Sequence, residues 1–139
     1  MRFIDSNVFV HAILKPNRKL AGHEKKIKEA AKAILKRIEG GEKAETTVVH
    51  LSEVANILES RTTLENSRQV LLAITSIEGL AVAPVTGEQY RGALRLSALL
   101  NLGINDALAY LIMGEGHVDE IYSFDKHYDN VPQVKRITF

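Results

Sequence analysis

The sequence lacks cysteine and tryptophan, and it holds only three prolines in 139 residues. Without cysteine the chain cannot form a disulfide, a zinc site with thiolate ligands or a cysteine nucleophile. Aromatic residues make up only 6% of the chain, which argues against extensive stacking of nucleic-acid bases on aromatic side chains. Apolar runs such as Ala107 to Met113 are too short to span a membrane, and Asp5 comes too early for a signal peptide. We therefore expect a soluble, cytoplasmic protein with no membrane association.

Hydrophobic residues make up 45% of the chain and charged residues 25%, as in ordinary globular domains. This apolar content is sufficient to form a buried core, which argues against disorder. The chain also shows no internal repeat, low-complexity tract or long linker. Its length and pattern together predict one domain over residues 1–139.

Short apolar segments alternate along the chain with segments of helical periodicity. The predicted strands are residues 2–5, 45–49, 80–85, 120–124 and 134–139, and the predicted helices are residues 8–14, 23–39, 51–59, 62–77, 86–103 and 105–113. Two of these helices begin at residue pairs with the spacing of a capping box, Thr62 with Glu65 and Thr86 with Gln89. Strands separated by helices predict an α/β fold, with a parallel sheet of four to five strands flanked by helices on both faces.

Four acids stand at the points where predicted strands end or the next helices begin. Asp5 and Asp125 follow strands, while Glu53 and Asp106 lie near helix starts. Because the carboxyl ends of parallel strands meet at one edge of a sheet, we expect all four there. Clustered carboxylates repel one another, and a divalent cation relieves that repulsion. Oxygen ligands without cysteine favour Mg²⁺ or Mn²⁺ over zinc.

Three of the acids also have a simpler explanation, whereas Asp5, directly after a buried first strand, stands where a site acid is expected. Asp106 fits a helix cap or first turn, where the helix dipole favours an acid, and Asp125 is typical of a residue that begins a turn. Glu53 fits a solvated helix surface. His50 and His127 lie nearest the expected edge, but both are more typical of surface or hydrogen-bonded histidines. The prediction of a site therefore depends on the meeting of all four acids.

The four segments that carry these acids occur in a recognisable order. They are Phe3-Ile4-Asp5-Ser6-Asn7, Ser52-Glu53-Val54-Ala55-Asn56, Asn105-Asp106-Ala107-Leu108-Ala109 and Tyr122-Ser123-Phe124-Asp125-Lys126. In this order and context they resemble the motifs of PIN-domain nucleases, in particular of the VapC-type toxin ribonucleases, and the resemblance spans the whole chain. It implies a Rossmann-like, three-layer PIN fold and a ribonuclease that depends on Mg²⁺ or Mn²⁺.

The resemblance also implies roles for particular residues. The implied catalytic and metal-binding acids are Asp5, Glu53, Asp106 and Asp125. The implied supporting residues are Asn7 and Ser123, with Asp129 as a further acid. The implied reaction is metal-assisted hydrolysis of RNA phosphodiester bonds, and the implied partner is a cognate antitoxin protein.

A homodimer is expected for two reasons. The helices carry more leucine and isoleucine than a small domain readily covers, and the PIN resemblance points the same way. The candidate surfaces are the helical segments Leu64–Ile77 and Tyr90–Leu100.

Charge is unevenly distributed, although the net charge is only +1. Residues 15–43 contain ten of the 18 Lys and Arg residues but only four acids, so a segment of +6 balances a remainder of −5. Four lysines recur every three or four residues along the predicted helix 23–39, namely Lys25, Lys28, Lys32 and Lys36. We expect them to form an exposed stripe that contacts successive RNA phosphates, unless the stripe is only a solvated surface.

Several other functions fit part of the pattern. A haloacid-dehalogenase-type phosphatase needs a second aspartate two residues after the first, where this chain has Asn7. A receiver domain needs adjacent acids before its phosphorylated aspartate, and this pattern is also incomplete. The remaining alternatives are a catalytically silent RNA-binding module and a metal-binding domain that acts by binding a partner.

Overall fold

The computed structural model describes residues 1–138. Its strands are β1 (Arg2–Ile4), β2 (Ala44–Thr47), β3 (Leu80–Ala83), β4 (Glu120–Tyr122) and β5 (Lys135–Ile137). Its helices are α1 (Ser6–Ile13), α2 (Gly22–Glu39), α3 (Val48–Arg61), α4 (Leu64–Thr75), α5 (Gly87–Leu100) and α6 (Ile104–Glu115), followed by a short 3₁₀ helix at Lys126–Asn130.

The five strands form one parallel sheet in the order β3-β2-β1-β4-β5. The first strand of the chain is therefore its centre, where Phe3 pairs with Glu45 on one side and with Ile121 on the other. The predicted parallel α/β fold is confirmed. All five strands end at the same edge of the sheet.

Successive side chains along each strand point to opposite faces of the sheet, and two separate cores result. Ile4 and Tyr122 pack into a cluster with α1 to α4 on one face, while Phe3 and Ile121 pack with α5 and α6 on the other. All four side chains are fully buried. The sheet is thus covered on both faces, which confirms the three-layer arrangement.

Threonine hydroxyls decide two of the helix starts that differ from the sequence prediction. The run Thr46 to Val49 is typical of a strand, but Thr47 accepts a hydrogen bond from the backbone N–H of His50 and begins α3 at once. In α4 the cap is Thr63 and not Thr62, whose hydroxyl instead donates to the Leu58 carbonyl at the end of α3. Either threonine could cap by sequence, so the choice follows from where α3 ends.

Other boundaries follow recognisable local chemistry. The predicted capping box of Thr86 and Gln89 is confirmed at the start of α5. The same helix ends earlier than residue 103, at Asn101, which adopts a left-handed conformation with φ 53°. Gly41, at φ 115°, follows the end of α2. Of the predicted fifth strand, residues 135–137 form β5, and Phe139 lies outside the described residues.

Among residues 1–138, no single helix has the length and apolarity to cross a membrane. Only α5 and α6 taken together meet these criteria, and a bend of 109° separates them.

Candidate active site

The four predicted acids meet in one pocket at the carboxyl edge of the sheet. The pocket has a volume of about 300 Å³. It is lined by Asp5, Ser6, Asn7, Val10, Glu53, Ile57, Asp106 and Asp125. These residues come from the β1–α1 junction, α3, α6 and the loop after β4, so the sheet topology brings both halves of the chain together here.

Asp5 is the most deeply buried of the four acids, with 3% of its surface exposed. It follows β1 and caps α1, since its Oδ1 accepts a hydrogen bond from the backbone N–H of Ser6 at 2.8 Å. Its Oδ2 accepts a second hydrogen bond from the Ser123 hydroxyl at 2.7 Å. Burial raises the pKa of the Asp5 carboxyl to about 6, and the charge of Glu53 adds to this, although the Ser123 hydrogen bond opposes it. The carboxyl is held in one orientation at a place where its negative charge is unfavourable.

Ser123 and Asn7 connect β4 to the start of α1. The buried Ser123 hydroxyl donates to Asp5, and its oxygen lies 3.0 Å from the backbone N–H of Asp125 and 3.4 Å from Asn7 Nδ2, both of which donate to it. Asn7 Oδ1 accepts from the backbone N–H of Phe124 at 3.3 Å. Together they hold Asp5 and the beginning of the loop that carries Asp125.

Glu53, on α3, is held by two side chains that the sequence analysis did not assign. The Ser6 hydroxyl donates a hydrogen bond to Glu53 Oε1, and Asn105 Nδ2 donates to Oε2 at 3.2 Å. Ser6 follows Asp5 in the sequence and Asn105 precedes Asp106. This adjacency is the only sequence signal for them, and it does not show which way a neighbouring side chain points.

Asp106 lies in the first turn of α6 without capping it, because Gly103 occupies the cap position. Its Oδ1 accepts a hydrogen bond from the Tyr128 hydroxyl at 3.2 Å. Burial, together with the charges of Asp5 and Asp125, raises the pKa of the Asp106 carboxyl well above its ordinary range. Burial also raises the pKa of Tyr128, so its phenol remains a hydrogen-bond donor. Nothing in the sequence distinguishes Tyr128 from an ordinary core residue.

Asp125 begins the 3₁₀ helix after β4, as its turn interpretation predicts. Its Oδ1 accepts a hydrogen bond from the backbone N–H of His127 at 2.9 Å. His127 Nδ1 lies 3.1 Å from the same oxygen, and the side chain of His127 is 73% exposed. Asp125 therefore both caps this turn and lines the pocket.

Asp129, expected as a further acid that supports the site, is not among the residues that line the pocket. Its exposed carboxylate accepts two hydrogen bonds from Arg136, at 2.9 and 3.0 Å. Arg136 also donates to the backbone carbonyl of Ser123 at 3.3 Å. Asp129 reaches the site only through Arg136, on β5, which the sequence analysis missed.

His50 is a structural histidine, as its sequence context favoured. It is fully buried, with Nδ1 2.7 Å from the Thr47 hydroxyl and Nε2 3.0 Å from the Asn105 carbonyl oxygen. Burial lowers its pKa to about 4, so the ring is neutral at pH 7. Its contact with Asn105 supports the residue that holds Glu53.

The side chains in the pocket fit a hard divalent cation. Two acids of the pocket, Asp106 and Asp125, each place one ligand atom within 4.8 Å of the other and of a ring nitrogen of the exposed His127, which contacts Asp125 but does not line the pocket. Among the described residues that line the pocket there is no lysine or arginine, so no basic side chain in its wall offsets the four carboxylates. Carboxylate oxygens are the ligands that Mg²⁺ and Mn²⁺ prefer.

The predicted lysine stripe is only partly exposed. Lys25, Lys32 and Lys36 are exposed on α2, but Lys28 is half-buried. The Lys28 ammonium donates to the carbonyls of His11 and Leu14, at 3.1 and 2.6 Å, at the end of α1. Terminal helix carbonyls lack partners within their own helix, and a lysine side chain satisfies them. The expected stripe of four lysines is therefore a stripe of three.

The sequence matches the PIN domain family over residues 2–134. The chain belongs to the PIN-domain family. No curated protein matches the sequence.

Solved structures share the fold of this PIN domain. VapC20 from Mycobacterium tuberculosis, a toxin that cleaves the sarcin-ricin loop, is 18% identical over 91% of each chain, with a TM-score of 0.66. VapBC2 from Rickettsia felis, solved with a DNA fragment from its promoter, is 14% identical over 98% of this chain and 96% of that chain, with a TM-score of 0.69. A toxin-antitoxin complex from Klebsiella pneumoniae is 11% identical over 97% of this chain and 96% of that chain, with a TM-score of 0.66. The VapC-like fold that the sequence motifs implied is confirmed.

Proposed function

We propose that this PIN domain, comprising residues 1–139, is a VapC-type ribonuclease that depends on Mg²⁺ or Mn²⁺ and hydrolyses RNA phosphodiester bonds. The observation that carries this proposal is the meeting of Asp5, Glu53, Asp106 and Asp125 in one pocket. Membership of the PIN family supports it, as does the fold shared with a toxin that cleaves the sarcin-ricin loop. A cytoplasmic location belongs to the same proposal, because cellular RNA is the proposed substrate.

In this proposal the four carboxylates hold one or two divalent ions. A bound ion would supply an activated water, orientation of the scissile phosphate and stabilisation of charge on the attacking and leaving oxygens. The chain itself supplies placement. Ser123 fixes Asp5, Asn105 fixes Glu53 and Tyr128 fixes Asp106, so the ligands are oriented before an ion binds.

The direct test is incubation of the purified protein with cellular RNA in Mg²⁺, in Mn²⁺ and in EDTA. We expect cleavage with at least one metal and none in EDTA. RNA binding without cleavage under all three conditions would instead support a catalytically silent RNA-binding module, and neither activity would support a module that only binds a protein partner.

A cognate antitoxin is the proposed protein partner. This follows from the VapC-like fold and from the toxin-antitoxin complex among the similar structures. The test is coexpression with the product of a small reading frame adjacent to the gene. We expect the two proteins to copurify and RNA cleavage to be lost. A nuclease that neither binds this product nor is inhibited by it would contradict the proposal.

A homodimer is the proposed assembly. The exposed large apolar side chains of α4 and α5 are Leu64, Leu72, Tyr90, Leu94 and Leu99. Leu99 is 80% exposed, and large apolar side chains left exposed on two helices favour coverage by another chain. Sedimentation at micromolar concentration should show a dimer, and Leu72→Glu with Leu99→Glu should give a monomer. A monomeric wild-type protein would count against this assembly.

A role in RNA binding is proposed for the lysines of α2. Lys25, Lys32 and Lys36 contact phosphates from its exposed side. Lys28 contributes charge only from its place beside the end of α1.

A further inference from the structure

A second cavity, which we call the groove, opens next to the acidic pocket. It has a volume of about 590 Å³ and lies between the end of α1, residues 14–21, the start of α2 and the end of α3. Val10 and Ile57 line both cavities. The groove therefore leads into the pocket across these two side chains.

The groove carries positive charge where the pocket carries negative charge. Its lysines and arginines are Lys15, Arg18, Lys28 and Arg61, and Glu24 is the only acid among its described lining residues. Arg18 is paired with Glu24 at 2.7 Å, and Lys28 is bonded to backbone carbonyls. Lys15 and Arg61 are exposed and form no ion pair within residues 1–138. Two positive charges are thus available to an anionic ligand.

The floor of the groove is apolar. It is formed by half-buried aliphatic side chains, namely Val10, Leu14, Leu20, Ile27 and Ile57. His11 also lines the groove, and its ring meets the edge of the Phe124 ring with 5.5 Å between centroids. Phe124 immediately precedes Asp125, so this aromatic pair lies between the groove and the loop that carries one of the acids.

We propose that the groove binds the single-stranded RNA segment that continues from the scissile phosphate. Lys15 and Arg61 contact its phosphates, and the apolar floor with His11 receives its bases. This inference rests on the proposed ribonuclease function. Bases can lie against protein side chains only where they are unpaired, which selects a single strand over a duplex.

Continuity with the pocket favours RNA over a peptide as the occupant. An acidic peptide would also complement Lys15 and Arg61, but nothing in it would require a path into a pocket of four carboxylates. An RNA strand follows that path because its scissile phosphate is the group that the metal-loaded pocket receives. One continuous polyanion would fit both cavities, because its scissile phosphate would meet the metal in the pocket and its following phosphates would meet the positive charge of the groove.

The test uses the double variant Lys15→Gln/Arg61→Gln, made in an Asp106→Asn background so that the RNA stays intact. Its matched control is Lys43→Gln/Lys135→Gln in the same background, which removes the same charge. Lys43 precedes β2 and Lys135 begins β5, so both lie at the opposite edge of the sheet. The probe is a short fluorescein-labelled single-stranded RNA of mixed sequence, and its anisotropy is measured over a series of salt concentrations.

We expect the groove variant to bind the probe about tenfold more weakly at low salt. The slope of log affinity against log salt should become shallower by about 1.4, because each single-strand phosphate contact contributes about 0.7. The control variant should match its parent, and a fully paired RNA of the same sequence should lose little affinity from the groove substitutions. Equal losses in both variants, or none in the groove variant, would overturn the proposal, as would an equal loss for the paired RNA.

Cleavage by otherwise wild-type protein separates this inference from the proposed function. With the groove substitutions alone, KM for the RNA should rise about tenfold while kcat changes less than about twofold. Cleavage with an unchanged KM would overturn the groove inference and leave the ribonuclease in place. RNA binding through the groove without cleavage in either metal would support the groove and reject the ribonuclease. Loss of antitoxin binding with unchanged RNA affinity would identify the groove as a protein-binding site and overturn the inference.

Discussion

The acidic pocket and the groove share Val10 and Ile57, but they hold their charges in opposite ways. Asp5, inside the pocket, is buried and accepts hydrogen bonds from two neighbours. Lys15 and Arg61, in the groove, are exposed on long flexible side chains. Metal-assisted chemistry requires ligands in fixed positions, whereas contacts to phosphates require charge nearby with little geometric demand. Hydrogen bonds thus hold the acid in place, whereas Lys15 and Arg61 keep their conformational freedom.

The largest expected effect comes from Asp106→Asn in the pocket. Loss of one ligand charge should lower RNA cleavage at least about a thousandfold, because it weakens the cation site. The metal-free protein should be as stable as wild type or more so, since the substitution relieves repulsion with Asp5 and Asp125. Cleavage rates and urea unfolding measure the two effects, with Asp119→Asn as an exposed control. Clear destabilisation by Asp106→Asn would show that the acid serves mainly the first turn of α6.

Ser123→Ala should have the next largest effect, because the substitution leaves metal ligands of the pocket without a group that orients them. It removes the hydroxyl that donates to Asp5 and that accepts from the Asp125 backbone and from Asn7. Mn²⁺ affinity, measured by calorimetric titration, should fall about 10- to 100-fold. Ser52→Ala, which changes an exposed serine next to Glu53, is the matched control. Unchanged Mn²⁺ affinity would mean that the acids of the pocket, like the cations of the groove, need no fixed orientation to bind their ligand.

A third prediction concerns the dependence of metal-free stability on pH. The native pKa of Asp5 is about 6, above its ordinary 3.8, so the native state binds this proton more tightly than the unfolded state does. The resulting stabilisation is present below pH 4 and is lost as the pH rises through about 6, and Asp106 shifts in the same direction. Asp5→Asn should therefore gain about 2 kcal/mol in unfolding free energy over wild type between pH 4 and pH 7.

Wild type and Asp5→Asn must be compared directly, because the titration of His50 changes stability with pH in the direction opposite to that of Asp5. Its native pKa of about 4 contributes stability at neutral pH that is lost as the pH falls. Both proteins retain His50, so its contribution cancels in the difference. Urea unfolding at several pH values measures the difference, and saturating Mg²⁺ should reduce it by stabilising only the wild-type pocket. If the difference in unfolding free energy did not change with pH, the raised pKa of Asp5 in the native state would be contradicted.

The smallest expected effect belongs to the exposed stripe on α2. Lys25→Gln/Lys32→Gln should weaken RNA binding about threefold, alike for all sequences, and flatten its salt dependence. Cleavage at saturating RNA should change little because the pocket is untouched. Anisotropy with the labelled RNA compares this variant directly with the groove variant. Unchanged affinity and salt dependence would mean that the stripe only keeps the surface solvated.

The sequence predicted the sheet and the placement of four acids because both depend on simple periodicities. Apolar strands alternate with helices, and parallel strands end at one edge, so Asp5 and Asp125 had to come close together. The choice between Thr62 and Thr63 as a cap was not predictable, since it depends on the end of α3. Such boundaries follow from tertiary packing, which local residue types do not encode.

The supporting residues were the harder part of the site to predict. Tyr128 donates a hydrogen bond to Asp106, and Arg136 joins Asp129 to the Ser123 carbonyl. Neither residue stands in a sequence pattern that differs from that of an ordinary core or edge residue. Lys28 fits the exposed stripe by spacing but turns toward the end of α1, because α2 packs on that helix. Spacing along one helix cannot reveal which neighbour lies beside it.

The central position of β1 has a consequence for synthesis of the protein. Asp5 is synthesised before Ser123, which orients it and lies 118 residues later, and the Asp5 backbone N–H bonds to the Tyr122 carbonyl. Contacts of such long sequence separation form late in folding. The acidic cluster is therefore incomplete until β4 and Asp125 have been translated and have joined the sheet. On the proposed function, a nascent chain is harmless to the RNA around it until β4 and Asp125 have joined the sheet beside β1.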